Sequence, residues 1–190
     1  MRIMLAGFAG AVVMFIWTSI AHMALPLGHM GFSGIPDEAP VMASMQKALG
    51  DHSGLYFFPW VDPRKSDAMA EVTAKLKTNP SGLLIYHPPG GGGMTASMLI
   101  VEFVKEFAVS LIAAFLLARS VLVAYSARAG SVALIGLAAT LTTNVSYWNW
   151  YEFPTDYTLA SMTTEFVGYL AAGLAIAAIL PRNRSFKPAE

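Results

Sequence analysis

The sequence predicts a mainly α membrane protein: a four-transmembrane-helix bundle with a small α/β extracytoplasmic insertion between helices 1 and 2. Three observations predict it. Only 13% of the residues are charged, where a soluble domain carries about 25%, and the mean hydropathy is +0.53. The shortage is concentrated: no charge falls between Arg2 and Asp37 or between Arg128 and Glu152, and Glu165 is the only one from Tyr157 to Pro181. Uncharged runs near twenty residues match the thickness of a bilayer core. Finally, Arg2, Arg119, Arg128, Arg182, Arg184 and Lys187 fall on one side of such a bundle.

Residues 1–27 form the first transmembrane helix, closed by Pro26 and Gly28. A cleaved leader is the rival reading. The apolar run is too long for one, contains Trp17 and His22, and lacks a small-residue cleavage site. Residues 28–94 hold six acids and five bases, the composition of a water-facing segment. Within them the sequence predicts a helix over 36–49 behind Pro36-Asp37-Glu38. A strand over 54–60, a helix over 67–77 capped by Ser66, and a strand over 82–87 follow. Strand, helix, strand favours parallel pairing. The Pro88-Pro89 and glycine run that follows is a hinge, since the Lys and Ser/Thr of a phosphate loop are missing.

Residues 95–190 hold helices 2 to 4 and a cytoplasmic C-terminal tail. The second hydrophobic segment, 95–125, exceeds one crossing and carries Glu102, Lys105, Glu106 and Arg119. An intermediate register puts Glu102 at the outer interface, with Lys105 and Glu106 slightly inside. The third helix, 131–147, runs into an aromatic cluster from Trp148 to Pro154, typical of a membrane–water boundary. The fourth spans 157–180, before Pro181. The positive-inside rule puts both termini in the cytoplasm, with 28–94 periplasmic and the chain in a bacterial inner membrane. Small residues spaced by four, Ala6 and Gly10, then Gly168 and Ala172, allow close helix approach, within this bundle or onto another subunit.

Each helix brings polar groups to one outer layer. Glu165 lies ~12 Å into the fourth helix and His22 ~7 Å from the end of the first. Asn144 and Tyr147 reach a similar level on the third, and Lys105 and Glu106 on the second. His22, Glu102, Lys105, Glu106, Asn144 and Glu165 are therefore the candidate buried polar cluster. Three readings stand: a charge-neutralising network in which Lys105 pairs one acid and His22 another, a ligand or proton site, and a metal site. The sequence names no cofactor. Di-metal bundles use Glu-x-x-His pairs, which are absent, and bis-histidine haem needs a second histidine at matching depth. His29, His52 and His87 match no metal-ligand spacing. The chain has no cysteine, and no Gly-x-Ser-x-Gly motif marks a hydrolase.

At Trp17-x4-His22-Met-x-Leu-Pro-Leu-Gly28, Asn149-Trp-Tyr-x-Phe-Pro-x-Asp-Tyr157 and Pro80-Ser-Gly-x-Leu-x-Tyr-His-Pro88, the chain resembles a group of small bacterial four-helix membrane proteins of no assigned activity. The resemblance implies origin and topology only. From the residues themselves, the expected function is a non-catalytic accessory or structural subunit of a larger inner-membrane complex. The alternative is a protein binding a ligand, quinol or ion in the outer-leaflet cluster. Expected partners are the lipid bilayer and other membrane subunits or a second copy. Balanced charge (12 bases, 12 acids) gives no field for nucleic acid.

Overall fold

A computed structural model describes residues 1–91 and 93–181. Arg182, Arg184 and Lys187 of the basic tail, and Gly92 of the hinge, lie outside the described residues. The chain forms two compact units: Met1–Phe32 with the segment from Met94 onward, and Ser33–Gly93.

The first unit is helical. Helix α1 (Arg2–Met23) ends in a 3-10 turn at Pro26–Gly28. In the second unit come α2 (Glu38–Leu49), β1 (Gly54–Phe58), α3 (Ala68–Leu76) and β2 (Gly82–Tyr86). The first unit resumes with α4 (Ala96–Arg119) and α5 (Tyr125–Thr140); a π turn at Leu141–Val145 leads into α6 (Ser146–Tyr151), and α7 (Thr155–Ile179) closes it. Among the described residues, three helices are long and apolar enough to cross a membrane: Arg2–Met23, the continuous Tyr125–Tyr151, and Thr155–Ile179. They place the protein in a membrane. The fourth long helix, α4, is of comparable length but carries Glu102, Lys105, Glu106 and Arg119.

Neighbouring helices run antiparallel in the order α4, α1, α7, α5. Along α1 and α4, Gly7 faces Leu111, while Phe15 meets Phe103 edge to face at 5.7 Å. Along α1 and α7, Gly10 faces Ile176 and Gly168 faces Trp17. The stripes at Ala6, Gly10, Gly168 and Ala172 are thus used for packing inside this chain. At Gly173 of α7 a Cβ would stand 2.7 Å from the Ala129 carbonyl oxygen and 2.9 Å from Val132 Cβ on α5. Only glycine permits that approach. The core gathers at the end of the bundle holding the start of α1: Ala6, Met14, Ala113, Ala114, Leu117, Val132, Ala172 and Ile176 interlock there. Arg128, buried at the same end, donates from both terminal nitrogens to the Leu180 carbonyl at 3.2 Å.

Several boundaries differ from the sequence reading. The second hydrophobic segment stops at Arg119, and Tyr125 opens the next helix, six residues before the expected Ser131. Ser120–Ala124 breaks the helix without a glycine or proline, so composition offered no punctuation. The π turn follows from polar side chains competing for backbone carbonyls. Thr142 donates to the Ala138 carbonyl at 2.7 Å, and the Asn144 amide donates to the Thr140 carbonyl at 3.2 Å and hydroxyl at 2.9 Å. In the second unit Asp67, not Ser66, stands at the N-cap of α3.

The strands pair antiparallel, with Leu55 opposite Ile85 and Phe58 opposite Gly82. Parallel pairing is therefore incorrect. Because Phe58 faces Gly82, the connection leaves and re-enters at the same end of the ladder. Its residues go into a local turn in which Arg64 pairs with Asp62 at 2.9 Å and into the short α3, so it is not the crossover that parallel pairing needs. The hydroxyl of Tyr86 ties β2 to the Gly50 carbonyl at 2.9 Å, and Lys75 donates to the Trp60 carbonyl at 3.1 Å. Glu71 sits between Lys65 at 3.0 Å and Lys75 at 2.9 Å.

Candidate functional site

Where the core ends, α1, α4 and α7 part and enclose a cavity of about 430 Å³. Its wall combines one turn-spaced stripe from each helix. Helix α1 supplies Met14, Thr18 and His22; α4 supplies Glu102, Lys105, Glu106 and Val109; α7 supplies Tyr157, Ser161, Thr164, Glu165 and Tyr169. Spacing of three or four residues keeps each set on one helix side. By helical rise, Glu106 and Glu165 each lie ~15 Å from the start of their helix.

The rim is built from the chain leaving α1. A Cβ on Gly28 would meet the His22 carbonyl oxygen at 2.7 Å, so glycine lets the 3-10 turn fold back over the helix end. Phe32 then meets Tyr157 edge to face at 5.5 Å, and Tyr157 touches Phe153, which stacks on Tyr147. On the wall, the Trp17 indole donates to the Thr164 carbonyl at 2.7 Å, pinning α1 to α7 beside the cavity.

Lys105 bridges two acids, 2.8 Å from Glu102 and 2.9 Å from Oε1 of Glu106. The burial of these groups is unequal. Lys105 and Glu102 side chains are 53% and 44% exposed, whereas Glu106 is fully covered. Beyond that ion-pair contact, no protein donor with hydrogen-bond geometry reaches either Glu106 oxygen among the described residues. The buried Ser110 hydroxyl, one turn away, is equally unsatisfied. On the opposite wall, Glu165 faces the Asn144 amide and the Thr140 hydroxyl, both neutral. With all carboxyls ionised, three acids face one lysine.

Of the six predicted residues, His22, Glu102, Lys105, Glu106 and Glu165 line this one cavity. Asn144 stands behind Glu165. His22 pairs with no acid: its Nδ1 donates to the Thr18 carbonyl of its own helix at 2.8 Å. Among the described residues, no three His, Asp or Glu groups are placed to hold a metal ion. Sequence reasoning missed Thr18, Ser161, Thr164, Tyr157 and Tyr169. Their signal was the four-residue step Tyr157, Ser161, Glu165, Tyr169 along one helix, which a search restricted to charged residues passes over.

A shallower depression of about 520 Å³ adjoins the cavity and shares Thr18, His22 and Glu102 with it. Its other walls are mostly apolar: Phe15, Met23, Met94 and Leu99. Neither a family model, a curated protein nor a solved structure matches the chain.

Proposed function

We propose that this is a non-catalytic membrane protein that binds a small solute in the cavity between α1, α4 and α7. The observation that carries this reading is Glu106. A carboxylate withdrawn from water is costly unless charge and hydrogen bonds compensate it. A purely structural network would close around such a group. Here Glu106 is instead among the residues around an open cavity, with Thr18, Ser161, Thr164 and Tyr169, in a size range that accepts small ligands.

In this reading α4 is a fourth span. Its length suits a bilayer, and its charges either face the cavity or lie at its end as Arg119 does, where a long side chain reaches water. The basic residues then put both termini in the bacterial cytoplasm. The second unit is then the periplasmic insertion.

The chain contains no cysteine, so one introduced thiol reports on the site alone. Ser161→Cys in the purified protein reacts with neutral hydroxyethyl methanethiosulfonate, while Ala172→Cys, in the helix interface, does not. Equal inertness of both would end the binding reading.

An accessory-subunit role is supported by a different feature. Leu55 and Ile85, opposite each other in a two-stranded ladder, are 67% and 71% exposed. Two strands alone are marginally stable, and an uncovered apolar pair suits a partner. A lone monomer of 20.3 kDa after gentle detergent extraction, with nothing co-purifying, counts against it.

A further inference from the structure

We infer that the solute is an amphiphilic organic ammonium ion, its cationic head between Glu106 and Glu165 and its apolar part in the adjoining depression. This rests on the binding reading above and goes on to name the ligand chemistry.

Charge comes first. Among the described residues, the cavity wall holds Glu102, Glu106 and Glu165 against Lys105 as its only lysine or arginine, and His22 spends Nδ1–H on its own backbone. Lys105 is committed to Glu102 and Glu106 on one helix. Glu165, across the cavity, shares that same Lys105 charge and has the neutral Asn144 amide and Thr140 hydroxyl beside it, while Glu106 is fully buried with an oxygen that receives no donor. Three carboxylates sharing one lysine in a low-dielectric site attract a further cation, since the same charges interact far more weakly in water. An ammonium group offers N–H donors to fill the vacant acceptor positions and a charge to offset the excess.

The lining discriminates between kinds of cation. A metal ion requires convergent ligands, and the acids here are spread over two facing helices without a three-group cluster among the described residues. Tyr157, Tyr169 and Phe32 instead offer aromatic rings, which favour organic cations. The shape extends the choice. Glu102, Thr18 and His22 border both spaces, and beyond them Phe15, Met23, Met94 and Leu99 form an apolar wall. A ligand reaching from one space into the other meets carboxylates at one end and hydrocarbon at the other. An alkylammonium ion has that layout.

The test uses Ser161→Cys in the full-length protein in detergent, with labelling rates normalised to those of a free thiol in solution. Aminoethyl methanethiosulfonate, a cation, reacts about tenfold faster than its sulfonatoethyl anion, equivalent to ~1.4 kcal/mol of electrostatic preference. Hexylammonium slows labelling by the neutral hydroxyethyl reagent; hexanol and hexanoate at the same concentration do not. Glu165→Gln, nearly isosteric, weakens hexylammonium protection at least several-fold while the neutral reagent still reacts. Equal rates for the two charged reagents, or protection by hexanoate, overturn the ammonium assignment and leave the cavity reading intact. Inertness to all three reagents defeats the cavity reading itself.

Discussion

Replacing Gly173 with alanine adds one methyl group where α7 packs directly against the backbone of α5. Its Cβ would stand 2.7 Å from the Ala129 carbonyl oxygen, where ordinary contacts begin near 3.4 Å. The helices must therefore separate locally by roughly 0.7 Å. The obstacle is backbone, so no side-chain rotation relieves it, and the strain spreads to Val132 at 2.9 Å. Overpacking of this kind costs about 1–3 kcal/mol, which for a chain of this size lowers Tm by roughly 2–12 °C. Gly130 on α5 supplies the internal control, because a Cβ there meets nothing within 4 Å. Gly130→Ala gains helix propensity and is stabilising by about 0.5–1 kcal/mol. The two variants are compared by thermal unfolding in one detergent, followed by circular dichroism. If Gly173→Ala matches the parent or melts above it, the close approach of α5 and α7 is wrong.

The same assay addresses the wall of the cavity. Trp17→Phe removes the 2.7 Å hydrogen bond to the Thr164 carbonyl and lowers stability by about 0.5–1.5 kcal/mol; an unchanged Tm shows that α1 is not tied to α7 there. In the second unit, Lys75 and then Lys65 hold the Glu71 carboxyl below its ordinary value. A carboxyl depressed in the folded state contributes stability above its unfolded value and loses it as pH falls through the folded one. Hydrogen-exchange protection of α3, corrected for intrinsic rates, should therefore decline between about pH 5 and about pH 3. Glu71→Gln flattens that decline; an identical profile in the variant removes Glu71 as its cause.

Much of the molecule was legible without coordinates because lipid is a demanding solvent. A backbone in hydrocarbon must satisfy its own hydrogen bonds, so apolar stretches with little or no charge, such as those after Arg2 and Tyr157, become helices. Charges in such stretches must be accommodated, which is why Glu102, Lys105, Glu106 and Glu165 stood out before any packing was known. Weak punctuation was harder to read. Ser120–Ala124 ends α4 with the same residue types that continue a helix, and the polar run around Asn144 distorts its helix without ending it.

What the amino-acid sequence determined by itself is depth and face. Rise per residue put the ionisable groups at one level, and helical spacing put each set on one side of its own helix. What only the tertiary structure decided is which faces meet and how closely. The antiparallel ladder depends on where residues 59–81 return, which no local propensity records. The cavity depends on glycine and alanine drawing the helices together at one end while they part at the other. Distances between helices are set jointly by side chains far apart in sequence, so whether Glu106 and Glu165 close on each other or border a shared space emerges only when all the helices are packed.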